Sequence, residues 1–257
     1  MKHAHRVHVG PLAVDPLTMK EAVGRVRSIV LTKSSKPKMI ATVNAQFAQI
    51  ARADSRFHKI LDHAEMVVAD GMSVIAASRF FGRPLPERIN GTDLVAEICR
   101  EAAAIGMSVY FLGGRPRAAA GAANQMQTRF PLLRVAGVDC PPLGFERHPA
   151  ESETVVEGIR AAVPDILFVG LGAPKQEFWM EEHRSLLPVK VMVGVGGSFE
   201  LLAGIIPRAP LWMQRAGLEW LFRLVHEPAR LWKRYLFGNA EFIQMVMWQF
   251  LTRKKEV

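Results

Sequence analysis

The 257-residue sequence predicts an α/β fold, a Rossmann-like and mainly parallel sheet with a C-terminal helical appendage. Three observations predict it. Runs of β-type apolar residues alternate with helical patterns, which is how a parallel sheet with crossover helices reads in sequence. Several runs end directly in polar or glycine-rich turns, and in open α/β sheets such turns at the carboxyl ends of strands line the ligand crevice. After Gly204 the strand-like runs stop and Pro207, Pro210 and Pro228 punctuate helical sequence instead.

Taken in order, predicted strands cover residues 39–43, 66–69, 108–112, 166–169 and 189–193. The first opens onto Thr42 and Asn44, the second onto Asp70 and Gly71, and the third onto Gly113 and Gly114. The fourth leads to Gly172 and the fifth to Gly194, Gly196 and Gly197. Beyond them, three helices are expected over 211–226, 228–237 and 239–252. The predicted boundary is therefore near 204. Residues 1–204 form a Rossmann-like catalytic domain able to close its own core, and 205–257 form a basic, Trp-rich, membrane-associating appendage.

Composition narrows the class. With 49% hydrophobic and 22% charged residues, 20 Gly and 16 Pro, the chain is neither disordered nor collagen-like. Cys99 and Cys140 form no Cys-x-x-Cys pair, which excludes a disulfide scaffold and a cysteine-built zinc site. The apolar stretch from Val9 to Leu17 is cut by Pro11, Asp15 and Pro16, so it makes no signal-peptide core. No apolar run approaches the roughly 20 residues of a bilayer span. A cytoplasmic chain is expected.

The net charge of +9 is unevenly placed: residues 205–257 carry nine Lys/Arg against four Glu, and four of the five tryptophans. Such a tail points to an anionic surface, membrane or nucleic acid. Arg215, Glu219, Arg223 and Glu227 alone would be a solvated i, i+4 charge ladder. Arg230, Lys233 and Arg234 beside Trp232 and large aliphatics have the composition of an interfacial helix.

The chemistry-bearing positions each have two readings. Glycine turns let backbone amides approach a phosphate, though none here completes the dinucleotide fingerprint G-x-G-x-x-G. Asp70 is either a helix N-cap or a general base in the crevice. Arg88 suits bidentate contact with a phosphate, or a surface ion pair with Glu87 or Asp93. Gln176, in Gly172-Ala173-Pro174-Lys175-Gln176-Glu177, can hold a sugar hydroxyl or phosphate, or stand idle. His3, His5 and His8 lack a further ligand beside them, and no Asp-x-Asp, HExxH, Walker or Gly-x-Ser-x-Gly sequence occurs. No metal and no cofactor are expected.

As an ordered set, Thr42-x-Asn44, Ala69-Asp70-Gly71, Arg88-x-x-Gly91-Thr92-Asp93, Gly172-x-Pro174-x-Gln176-Glu177 and Gly194-x-Gly196-Gly197-x-Phe199 resemble the WecG/TagA/CpsF glycosyltransferases, family 26. The tail, from Arg208-Ala209-Pro210-x-Trp212 to Glu227-Pro228-x-Arg230-Leu231, resembles that family too. Ser73 and Glu200 depart from its usual Gly and Asp. The resemblance implies an inverting, metal-independent transfer of a sugar from a UDP-sugar to a polyprenyl-diphosphate-linked saccharide, on the cytoplasmic face of the membrane. The sugar would be of N-acetylmannosamine, N-acetylmannosaminuronic acid, glucuronic acid or glucose type. It implies Asp70 as base, with Arg88, Thr42 and Gln176 on sugar and phosphate. Asn44, Gly172, Gly194, Gly196, Gly197 and Glu200 would line the donor site. Arg215, Arg223, Arg230, Lys233 and Arg234 would meet the diphosphate or an anionic membrane. A homo-oligomer is compatible with all of this. A nicotinamide-dependent oxidoreductase and a non-catalytic nucleotide-binding module remain as alternatives, while the tail's apolar content disfavours nucleic acid.

Overall fold

The computed structural model describes residues 6–32 and 36–253. His3 and His5 lie outside them, as do the side chains of Arg230, Lys233 and Arg234. The chain begins with a hairpin, β1 (Val7–Val9) and β2 (Leu12–Val14), then α1 (Met19–Leu31), β3 (Lys38–Val43), α2 (Ala45–Ala53), α3 (Ser55–His63) and β4 (Met66–Ala69). It continues through α4 (Met72–Phe80), α5 (Gly91–Ile105), β5 (Ser108–Gly113), α6 (Ala118–Arg129), β6 (Arg134–Asp139) and α7 (Pro149–Ala162). The last elements are β7 (Ile166–Gly170), α8 (Lys175–His183), β8 (Val191–Gly194), α9 (Ser198–Leu202), α10 (Leu211–Arg215), α11 (Glu219–His226) and α12 (Pro228–Arg253).

Six strands form one parallel sheet in the order β4-β3-β8-β7-β5-β6. Its strands read as continuous apolar runs because helices cover both faces. Successive residues still part to opposite sides: Met39, Ala41 and Val43 of β3 join one core with α2, α3, α7 and α8, while Ile40 joins the other with α1, α5 and α6. Because the strands are parallel, their carboxyl ends gather at one edge, and every predicted glycine turn and Asp70 lies there.

All five predicted strands are present, the last starting at Val191 rather than 189. Two strand pairings were not predicted. β6 is a half-exposed edge strand, Arg-Val-Ala-Gly-Val-Asp, with too little apolar character to stand out. Its Gly137 is required by close approach, since a Cβ there would lie 2.3 Å from the Tyr110 ring. The N-terminal hairpin occupies the stretch weighed as a leader; its Gly10-Pro11 turn between Val-x-Val and Leu-x-Val is a hairpin signal. Asp15 then ties the hairpin to β4, accepting from the Val67 amide at 2.8 Å and pairing with Arg6 at 3.2 Å.

The C-terminal helices differ from expectation. Gly217, at φ +73°, divides the predicted 211–226 helix into α10 and α11. The predicted break at 238 is absent: α12 runs unbroken and lies on α2, where Gln49 Nε2 donates to the Gly238 carbonyl (3.1 Å) and to Glu241 (2.7 Å). Phe242, Met245 and Val246 are buried in the main core, while Ile243, Met247 and Trp248 face outward. The core expected to close within 1–204 is therefore completed by α12.

Candidate active site

The site is assembled where β3, β4, β8 and β7 end. Asp70 follows β4, half-buried, its amide donating to the Val43 carbonyl at 2.8 Å. The N-cap of α4 is Gly71, without a side-chain capping bond. Asp70 therefore stands one residue before the N-cap position of the helix. Gly71 is pressed against the end of β3, for a Cβ on it would come within 2.9 Å of Asn44 Cβ. Asn44 is itself the N-cap of α2, its Oδ1 accepting from the Gln46 amide at 3.0 Å.

Beside Asp70 runs the segment that carries Arg88. The Ile89 amide donates to the Ala69 carbonyl at 2.8 Å, which sets Arg88 next to the end of β4. The Arg88 side chain pairs with neither Glu87 nor Asp93. Its Nη2 donates to Glu219 of α11 at 2.8 Å, with both side chains largely buried. Asp93 instead takes both terminal nitrogens of Arg208, at 2.6 and 2.7 Å. Burial works to raise the Asp93 carboxyl, and the bonds from Arg208 and Asn90 overcome it and hold the carboxyl below its ordinary value.

The glycine turns are strapped together by side chains expected to touch substrate. Thr42 is buried and donates its hydroxyl to the Gly194 carbonyl at 2.9 Å. Gln176 is buried on the first turn of α8, after the cis Ala173–Pro174 bond. Its Oε1 accepts from the amides of Gly172 (3.1 Å) and Gly196 (3.0 Å), and its Nε2 donates to Glu177 at 2.7 Å. The turns after β7 and β8 thus share one acceptor. Gly172 and Gly196 have positive φ, and nothing lies within 4 Å of where a Cβ would stand on either. Gly194 is different: a Cβ there would sit 2.8 Å from Gln176 Nε2, so this glycine makes room for the Gln–Glu pair.

Glu200, also buried, accepts from the Arg115 amide at 3.1 Å and so fixes the turn after β5. Gly197 is the N-cap of the short α9. Arg115 reaches on to Glu227, which also lies 3.9 Å from Arg223. The expected i, i+4 ladder is thus half dissolved: Glu219 and Glu227 turn toward the α/β body, and Arg215 is exposed. Among the described residues no three His, Cys, Asp or Glu side chains gather as a metal-ligand set. No described helix is long and apolar enough to cross a membrane.

Residues 7–256 match the model of the glycosyl transferase WecG/TagA/CpsF family. The chain belongs to that family. A Bacillus spizizenii relative, an N-acetylglucosaminyldiphosphoundecaprenol N-acetyl-beta-D-mannosaminyltransferase, is 34% identical over 79% of this chain and 76% of its own. A Staphylococcus aureus enzyme of the same name is 31% identical over 95% of this chain and 91% of its own. Family membership makes the chain a glycosyltransferase and sets aside the nicotinamide-dependent oxidoreductase and the non-catalytic module.

For this WecG/TagA/CpsF member, sequence reasoning missed Glu177, Arg208 and Glu219 as parts of the site. Glu177 is fully buried, and burial pushes its carboxyl up to about 7 against the lowering effect of the Gln176 bond. Its place directly after Gln176 in the Gly172-x-Pro174-x-Gln176-Glu177 motif was the available signal. Arg208 and Glu219 lie in the tail stretch that carries the family resemblance, yet only the folded tail brings them to Asp93 and Arg88.

Proposed function

We propose that the enzyme transfers N-acetylmannosamine from UDP to polyprenyl-diphosphate-linked N-acetylglucosamine, with inversion at the anomeric carbon. The observation that carries this reading is Asp70, held at the carboxyl edge of β4 one residue before the N-cap of α4, beside Arg88 and on the same edge of the sheet as the strapped glycine turns after β8 and β7. The relatives' shared activity supplies the sugar and the acceptor.

In the mechanism, the Asp70 carboxylate takes the proton from an acceptor hydroxyl as its oxygen attacks the anomeric carbon. The new C–O bond forms while the bond from that carbon to the β-phosphate oxygen breaks, and UDP leaves with the electron pair. Arg88 faces the charge growing on the diphosphate, which gives the step cationic stabilisation without a metal ion. Gln176, Thr42, Asn44 and Glu200 act as struts: their polar atoms hold the turns on which Gly172, Gly194, Gly196 and Gly197 border the donor. The 1–204 portion carries all the strands and glycine turns, and 205–257 serves as a membrane-docking appendage on the cytoplasmic face. Exposed Leu211, Trp212, Trp220 and Val225 support docking, with Arg215, Arg223, Arg230, Lys233 and Arg234 drawn to lipid headgroups or the acceptor diphosphate.

The test is UDP release from UDP-N-acetylmannosamine, its uronic acid, UDP-glucuronic acid and UDP-glucose with a lipid-diphosphate N-acetylglucosamine acceptor. The first donor should be used fastest and yield an inverted linkage. Preference for another donor overturns the sugar assignment. A retained configuration overturns the role given to Asp70.

A further inference from the structure

We propose that Glu219, at the start of α11, positions the Arg88 guanidinium for the transfer step. The inference rests on the reading of Arg88 as the group that faces the leaving diphosphate.

The backbone around Arg88 is well anchored: Ile89 is bonded to Ala69, the Leu85 amide donates to Ser78 Oγ at 3.0 Å, and Asn90 caps α5 through the Asp93 amide at 2.9 Å. Those bonds fix where the side chain starts and leave its long arm several rotamers. What selects one rotamer is Glu219, whose Oε2 receives Nη2 at 2.8 Å. Glu219 opens α11, where the helix dipole favours a carboxylate, and it is 8% exposed. Its other oxygen lies 3.6 Å from Arg208 Nε, which makes no hydrogen bond among the described residues.

Four charges thus form a neutral chain, Arg88 to Glu219 to Arg208 to Asp93. Arg88 and Asp93 come from the two sides of the α5 N-terminus, and Arg208 and Glu219 from the C-terminal segment. Each has a distinct role. Arg208 already moors the segment to Asp93 by two short bonds, and Gly217 packs it against Met72 beside Asp70. Glu219 is therefore not needed as a mooring. When a diphosphate draws on Arg88, Arg208 Nε stands ready to take up Glu219, so the carboxylate can share Arg88 with the anion without being left uncompensated in a buried place.

The test uses the full chain and a short, water-soluble lipid-diphosphate acceptor without membranes, so that docking does not enter. Glu219→Gln keeps the side chain's size and removes its charge. It should lower kcat on the order of 10- to 100-fold with the donor KM nearly unchanged, the signature of an interaction used in the transition state. In the Arg88→Ala background the same change should cost nothing further, because there is no guanidinium left to position. An unchanged kcat overturns the proposal. So does an equal loss in both backgrounds, or new protease cleavage within 205–218 in Glu219→Gln, since either assigns Glu219 to holding the tail. Full turnover by Arg88→Ala alone is a separate failure, that of the Arg88 reading itself.

Discussion

Replacing Glu177 by Gln isolates the effect of one buried carboxyl on stability. Its Oε1 accepts from Gln176, and among the described residues Oε2 has no hydrogen-bond partner. Burial raises its pKa from the ordinary 4.5 to about 7. The folded chain thus holds this proton more tightly than the unfolded chain does. Its contribution to stability is complete below about pH 4.5, is lost as pH rises toward about 7, and is level beyond that. At ~1.36 kcal/mol per pH unit, that interval costs the parent about 3 kcal/mol. The Gln variant has no charge to bury and escapes this cost. Its new amide nitrogen falls where Oε2 had no partner, a penalty of ~1–3 kcal/mol that is the same at every pH. Urea unfolding of both proteins at about pH 4.5 and about pH 8 separates the two effects. The variant should gain about 3 kcal/mol on the parent between those conditions. A stability difference that does not move with pH refutes the reasoning.

Asp70→Asn should slow transfer by roughly 100- to 10,000-fold while UDP still binds, and near-normal turnover would remove Asp70 as base. Gly217→Ala forces a Cβ into a left-handed turn, at about 1–2 kcal/mol, and should expose the segment before α11 to protease; an unchanged digest shows that the turn does not govern tail docking. Arg230→Glu, Lys233→Glu and Arg234→Glu together should abolish flotation with anionic liposomes, each cation being worth about 1 kcal/mol, and persistent flotation assigns docking to the exposed tryptophans alone. Exhaustive chelation should leave turnover unchanged, whereas a loss restored by added Mg²⁺ would defeat the metal-free mechanism.

The sheet was legible because its buried strands are mostly apolar and end in or lead into glycine, Asn44 or Asp70. The edge strand β6 was not, since a strand covered on few sides keeps Arg134, Gly137 and Asp139 and loses the pattern. At the candidate site, residue type marked positions on the carboxyl edge of the sheet and hid what the side chains do there. Thr42, Asn44 and Gln176 stand at the strand ends as expected, yet their hydroxyl and amides are engaged with backbone of the same edge. A single sequence cannot distinguish a polar group that meets a ligand from one that shapes the turn behind it. Glu219 was hidden for a different reason: i, i+4 spacing describes a helix in isolation, and a partner 131 residues away overrode it.

The position of β8 in the sheet has a consequence for how the enzyme comes into being. β4 and β3 form one wing and β7, β5 and β6 the other, and β8 alone joins them. It is also the last strand to be made, and its bond to Thr42 closes a loop of 152 residues. Contacts that distant repay their closure entropy late, so the two wings must wait for the central strand. The candidate site straddles that seam, with Asp70 on one wing and Gly172 on the other. Partly folded chains therefore carry no half-working site, and substitutions that slow the docking of β8 will diminish the yield of enzyme while leaving each finished molecule as fast as before.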